Sequence, residues 1–448
     1  MLDSVSNAVS PRTSNLNKKS VPIAGMTIFP IQHFVISAVS ESNWKIEHQC
    51  PQCGAPIVID EADRLLSCPF CKTKLYLMTP DHFRYYIPAP DQTSRDMVYL
   101  PYWRLKGTSF SVEANEISPR FVDTSILATH FPGLPRSLGL RPQAMKVKYI
   151  SPNMPGQFME TSLPAHAVIP TIEPFDPSGH SFHQTYIGKM ISLVYSPAYL
   201  EKDTLYDALL GRPLSAWKKD ETARTPADTK PPNWQIRFIS TLCPRCGWNL
   251  QGEKDALVMI CKNCDSAWSC SKTEFETVPF SVMNAFSKEA ILYLPFWRMK
   301  PRMEGIHLVS YADLIRLANL PKVINSDFES APLYFWSPAF KVSPALYLRW
   351  ARQMTTFQPE GKTSETFAGA SFYQVTLAGQ EAVESMKITL ADLVVDKRQI
   401  YPKLADIQVS ADEIMLVYHP FIVGPHELIH ETMHVTIDRT ALSYGTYL

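Results

Sequence analysis

The chain has 448 residues, 45% hydrophobic and 19% charged, enough apolar material for two or three cores. Lysine plus arginine equals aspartate plus glutamate, 43 of each, which removes the broad positive field that sequence-independent nucleic-acid binding depends on. No apolar run reaches the roughly 18 residues of a membrane span; the best, Ile414 to Val423, is broken by His419 and Pro420. The opening Met1-Leu2-Asp3-Ser4 begins no charged-then-apolar leader, so a cytoplasmic protein without disulfides is expected.

Residues 1–20, rich in Ser and Asn, read as a disordered tail, and a first module follows over residues 21–213. Its first feature is Cys50-x2-Cys53-x14-Cys68-x2-Cys71, and the same spacing returns as Cys243-x2-Cys246-x14-Cys261-x2-Cys264. These account for eight of the nine cysteines, leaving Cys270 as an ordinary thiol. Each Cys-x-x-Cys turn points two sulfurs at one centre, and the excursion between turns brings back the second pair, which suits tetrahedral zinc. Paired disulfides and a rubredoxin-type iron centre are the alternatives. Both first turns read Cys-Pro-x-Cys-Gly, where proline presets φ and glycine tolerates positive φ beside the sulfur. Four thiolates around a divalent ion leave two negative charges, which Lys72, Lys74, Arg245 and Lys262 are placed to offset.

At these residues the chain resembles the zinc-ribbon superfamily, found in transcription factors, RNA polymerase subunits and replication-restart helicases. The resemblance covers about 25 residues per cluster and implies two metal-held hairpin pairs, over residues 45–78 and 238–272, with one zinc ion each and no single activity. Such closed sites leave no open position for a substrate.

Downstream of the first cluster, Asp81–Ile87, Met97–Glu113 and Tyr186–Tyr199 read as strands. Tyr99-Leu100-Pro101-Tyr102-Trp103-Arg104-Leu105-Lys106 recurs as Tyr293-Leu294-Pro295-Phe296-Trp297-Arg298-Met299-Lys300. Alternation puts Tyr99, Pro101, Trp103 and Leu105 on one face and Leu100, Tyr102, Arg104 and Lys106 on the other, predicting one packed face and one charged face. Trp103-Arg104 and Trp297-Arg298 then read either as an exposed stacking surface or as core tryptophans whose arginine neighbours hold carboxylates; the core reading is preferred. The Leu-Pro-Tyr-Trp-Arg segment resembles those of uncharacterised bacterial zinc-ribbon proteins, which implies no function.

Residues 214–233, charged and proline-containing, read as a linker, and residues 234–448 as a second module. Within it Tyr311–Leu320, Pro344–Thr355 and Gln380–Val394 show helical spacing, and Glu413–Val423 reads as a strand. Leu193-Val194-Tyr195-Ser196-Pro197 matches Leu416-Val417-Tyr418-His419-Pro420, and Ser151-Pro152 is aligned with Ser337-Pro338. The expected fold is therefore α+β, a tandem duplication of a β-rich module, each copy carrying a small four-cysteine zinc ribbon.

His426-Glu427-Leu428-Ile429-His430, with His434 beyond, matches the zinc-peptidase pattern, which requires a helix to bring the histidines onto one face. The flanking residues instead predict a hairpin turning at Gly424-Pro425, where the histidines spread too far apart for one ion. With no phosphate-binding glycine loop and no nucleophile elbow, the expectation is a non-enzymatic scaffold or adaptor with two zinc ions, binding a protein partner or a second copy of itself. The alternatives are a nucleic-acid-associated ribbon factor and, last, the peptidase.

Overall fold

The computed structural model describes residues 44–89, 96–139, 146–169, 181–216, 231–271, 274–287, 289–367, 371–433 and 435–444. The expected tail (1–20), residues 217–230 of the expected linker, and His434 lie outside these. Among the described residues the protein is mostly β with few helices, and no helix is long and apolar enough to cross a membrane.

Around the first cysteine cluster, β1 (Lys45–Gln49) pairs with β2 (Pro56–Asp60), and β3 (Leu65–Ser67) pairs with β4 (Lys74–Met78). An eight-stranded sheet follows, comprising β5 (Phe83–Tyr86), β6 (Met97–Val112), β7 (Ile117–Leu127), β8 (Lys148–Tyr149), β9 (Gln157–Phe158), β10 (His183–Glu201), β11 (Thr204–Asp207) and β12 (Pro213–Ala216). Residues 214–216 belong to that last strand, so the sheet continues past the expected start of the linker. The second cluster is entered from β13 (Arg237–Ser240) and continues into β14 (Val258–Cys261), β15 (Ser266–Ser271) and β16 (Glu274–Val278).

A second eight-stranded sheet contains β17 (Phe280–Met283), β18 (Ile291–Glu304), β19 (Phe335–Pro338), β20 (Thr363–Ser364), β21 (Ser371–Phe372), β22 (Gln408–Val423), β23 (Glu427–His430) and β24 (Thr436–Asp438). Helices Tyr311–Leu317, Pro344–Phe357 and Gly379–Leu393 pack their apolar stripes into its core, close to the ranges that periodicity predicts.

Each repeated octet lies at the start of the longest strand pair of its sheet, β6 with β10 and β18 with β22, and the registers agree residue by residue. Trp103 faces Leu193 and Trp297 faces Leu416; Tyr99 faces Pro197 and Tyr293 faces Pro420. Short parallel strands flank both pairs, with Tyr99 opposite Phe158 and Tyr293 opposite Phe372. Those rings stack at 4.6 and 5.1 Å. Proline inside a central strand normally forfeits a ladder bond. Here Pro101 and Pro295 sit where one neighbouring strand has ended and the next begins, so each only accepts, from Ala128 N (2.9 Å) and Ala339 N (3.0 Å). By the same register Ser337-Pro338 occupies the place of Ile126-Leu127, not of Ser151-Pro152.

The expectation of one packed and one charged face fails for β6, which is buried on both, Arg104 and Lys106 included at 1% exposed. The reason is that the first ribbon covers the second face. Trp44 lies under the Arg104 guanidinium at 3.7 Å, and Glu61 pairs with it. Asp123 on β7 takes the remaining donors at 3.1 and 3.2 Å. Arg298 is only half-buried, held by Glu413 at 3.0 Å and stacked on Tyr334.

Nor does each ribbon sit on its own half alone. Strand β13, in the expected second module, pairs antiparallel with β4 of the first ribbon. Leu65 and Tyr76 share a small core with Cys243, Met259, Cys261 and Trp268 of the second. Arg64 N and Leu65 N both donate to Lys254 O at 2.6 and 2.8 Å.

Candidate metal centres

Each cysteine cluster is made of two knuckles set at the end of a hairpin. In all four, the residue after the second cysteine has positive φ: Gly54 (+74°), Lys72 (+62°), Gly247 (+72°) and Asp265 (+47°). That left-handed step closes the turn, with Gly54 N on Cys50 O and Gly247 N on Cys243 O at 2.8 Å, and Lys72 N on Cys68 O at 3.0 Å. Glycine makes the step without steric cost, and the sequence shows it at two of the four positions. Lys72 and Asp265 are the other two, and Asp265 gains a partner by accepting from Phe367 N at 2.8 Å.

The turns aim backbone N–H groups at sulfur. Those of Gln52 and Cys53 reach Cys50, those of Arg245 and Cys246 reach Cys243, and those of Asn263 and Cys264 reach Cys261. Donors of this kind favour the thiolate, the form that binds metal. A hydroxyl adds to the last ligand of each cluster: Thr73 Oγ1 lies 3.3 Å from Cys71 Sγ and Ser266 Oγ 3.1 Å from Cys264 Sγ. Trp268 Nε1 donates to Ser266 Oγ at 2.8 Å, leaving the Ser266 proton free to point at sulfur. The matching position, two residues past the fourth cysteine, is visible in the sequence but carries no meaning until the hairpin is folded.

The eight predicted ligands, Cys50, Cys53, Cys68, Cys71 and Cys243, Cys246, Cys261, Cys264, fall into two groups whose sulfurs all lie within 4.8 Å of one another. Cross-knuckle pairs are 3.8 Å apart in the first group (Cys50 to Cys71, Cys53 to Cys68) and 3.6 and 3.5 Å in the second (Cys243 to Cys264, Cys246 to Cys261). A tetrahedron with Zn–S bonds of about 2.3 Å has edges of about 3.8 Å. Disulfide bonding at about 2.05 Å does not describe these contacts. Protons cannot leave all four sulfurs without a cation to take their place. Cys71 is held down to about 6 by the Thr73 hydroxyl and amide, whereas Cys53, despite the Ala55 N–H, is pushed up to about 11 by burial and its neighbouring thiols. Both clusters are therefore consistent with zinc-binding knuckles, and the donor set is one that zinc fits.

Of the cations near the clusters, Arg245 reaches Cys264 O at 3.5 Å and Lys262 lies over the Phe372 ring at 5.6 Å. Cys270 stays outside both groups, its thiol pushed up to about 11 by burial and by Glu276.

The peptidase pattern does not assemble. Residues Glu427–His430 form β23, after a turn at Gly424 and Pro425, and pair with β22 and β24. His426 is exposed in the turn, while His430 is buried with Nε2 3.1 Å from His419 Nδ1. Among the described residues, the two cysteine groups are the clusters that could hold a metal.

Compared with known proteins, the chain matches no family model, no curated protein and no solved structure.

Proposed function

We propose that this is a non-enzymatic zinc protein, a tandem duplication whose two ribbons form one rigid platform that binds a protein partner or a second copy of the chain. The observation that carries the reading is the make-up of both cysteine groups: four thiols each, converging at tetrahedral spacing, would supply all four ligands of a zinc ion and leave no ligand position for a substrate. Duplication is supported by the shared register of β6/β10 and β18/β22, and by Trp103 and Trp297, which donate to Leu163 O and Leu377 O at 2.7 and 2.9 Å. Each leucine lies five residues past the aromatic that stacks on the octet tyrosine. A reducing, cytoplasmic setting suits eight metal-binding thiolates. The test is metal content with solution mass, then affinity capture from a lysate before and after nuclease treatment. Two zinc ions per chain and a nuclease-resistant complex support a scaffold.

A second reading, a nucleic-acid-associated factor, draws on a groove of about 500 Å³ beside the second ribbon. Trp248, 58% exposed, lines it together with Lys74, Lys262 and Tyr373. Retention of single-stranded DNA or RNA that weakens steeply with salt and is lost on Trp248→Ala would favour it.

A further inference from the structure

A cavity of about 370 Å³, within the range of small-molecule sites, lies where both ribbons and both sheets meet. Arg64 reaches it from the first ribbon, Lys189 from β10, Asp255 from the second ribbon, Lys341 from the connection after β19, and Ala378 and Glu381 from the start of helix Gly379–Leu393. A β-bulge builds its wall: the register of β10 on β6 shifts between Ile187 and Met190. Gly188 takes φ +69°, and the Lys341 stem lies across it, its Cε 3.6 Å from where a Cβ would stand. The bulge also turns Lys189 N–H out of the ladder to donate to Glu381 Oε1 at 2.8 Å.

Most charges here are already committed. Lys189 pairs with Glu384 and Asp81 with Arg84, Asp255 accepts from the Gln374 amide, and Arg64 donates to the carbonyls of Glu61, Ala62 and Asp63. Two are not. The Lys341 amine makes no hydrogen bond or ion pair with any described residue, and Glu381, 8% exposed, meets no described cation at ion-pair distance. They sense each other through space: burial pushes the amine down and the carboxyl up, and each is held back first by the other's charge. Glu381 is a buried carboxylate with no counter-ion in contact, and the half-buried Lys341 amine faces the same space without touching it.

We propose that this cavity binds a small zwitterion of free amino-acid size, its carboxylate received by Lys341 and its ammonium by Glu381. Such a ligand satisfies both charges at once, which a simple anion or a simple amine cannot. Because its walls come from both ribbons and both sheets, occupancy would strengthen their packing by mass action.

The test uses the zinc-loaded full chain, titrated calorimetrically and by thermal unfolding with each of the twenty amino acids, alongside propionate and butylamine as single-charge probes. The expected result is saturable binding of one or a few amino acids with a raised unfolding midpoint, and binding weaker by on the order of tenfold or more for either single-charge probe. Lys341→Met and Glu381→Gln should each weaken binding by a similar factor. Ala378→Leu, which fills the cavity while leaving both charged residues in the chain, should abolish binding while both zinc ions are retained, and covers the case in which a charge variant fails to fold. Propionate binding as tightly as the amino acid, or no amino acid binding at all, would overturn the proposal.

Discussion

Tyr76 of the first ribbon donates its hydroxyl to the carbonyl of Ala256 in the second, at 3.4 Å, and stands edge-on to Phe275. The two hairpin systems therefore share a buried boundary, reinforced by the pairing of β13 with β4. A structural zinc in each cluster would hold its side of that boundary with a site binding energy on the order of 10 kcal/mol.

Cys68→Ser is expected to lower zinc content from two ions to one. It should also speed release of the second ion to a chelator, because Leu65 and Tyr76 pack on Cys243 and Cys261. Release kinetics followed with a chromogenic chelator check this. An unchanged rate for the remaining ion would show the ribbons to be energetically separate.

Arg104 and Arg298 occupy matching positions in the two octets but different surroundings. Arg104→Ala strands Glu61 and Asp123 in the interior and should cost about 3–5 kcal/mol. Arg298→Ala, whose partner Glu413 is partly exposed, should cost under about 1 kcal/mol. Urea unfolding of both variants under one condition reads the difference directly.

The buried pair His419 and His430 has a defined proton arrangement. His430 Nδ1 accepts from Thr432 N and Met433 N at 3.3 and 3.2 Å, so its proton sits on Nε2 and is donated to His419 Nδ1. His419 in turn carries its proton on Nε2, between Phe296 and Trp336, with no described partner. Nitrogen-15 NMR should show both rings as Nε2–H tautomers at neutral pH. A proton on His419 Nδ1 would contradict this geometry.

Stability should fall on acidification. Burial, with the charge of Lys387, holds His183 down to about 4, and burial beside His430 holds His419 well below the ordinary range. Unfolded histidine titrates near about 6.5. Between that value and the folded value the unfolded chain takes up protons that the fold refuses. The stabilisation is thus complete above about pH 6.5 and is lost as pH drops toward 4. Unfolding midpoints at about pH 7, 6 and 5, with bound zinc monitored in parallel, test this, and His183→Gln should flatten the slope.

Glu427→Gln and His430→Ala should leave two zinc ions per chain, since β23 keeps these side chains from forming a ligand set. Metal analysis of the two variants decides it. A third ion in the parent protein, absent in His430→Ala, would restore the peptidase reading.

Much of the local architecture is legible in the residues. The cysteine spacing implies the knuckles, the octet implies a strand, helical spacing marks the three longer helices, and Gly424-Pro425 marks the hairpin that dismantles the His-Glu-x-x-His pattern. The partners of those elements are not legible. Alternation in the octet describes two faces but not what covers them, and Arg104, which reads as the charged face, becomes interior because Trp44, Glu61 and Asp123 arrive there from elsewhere in the chain. Thr73 and Ser266 likewise gain a role only when the hairpins bring their hydroxyls to sulfur.

The sequence by itself determined the two four-cysteine clusters, because four thiols and their turns lie within a short span of chain and need only local geometry to converge. Tertiary structure alone decided that the two ribbons pack on each other, that β6 is buried on both faces, and that Lys341 and Glu381 face one cavity. Those outcomes depend on contacts between residues far apart in the chain, where burial, and not spacing, selects the neighbour.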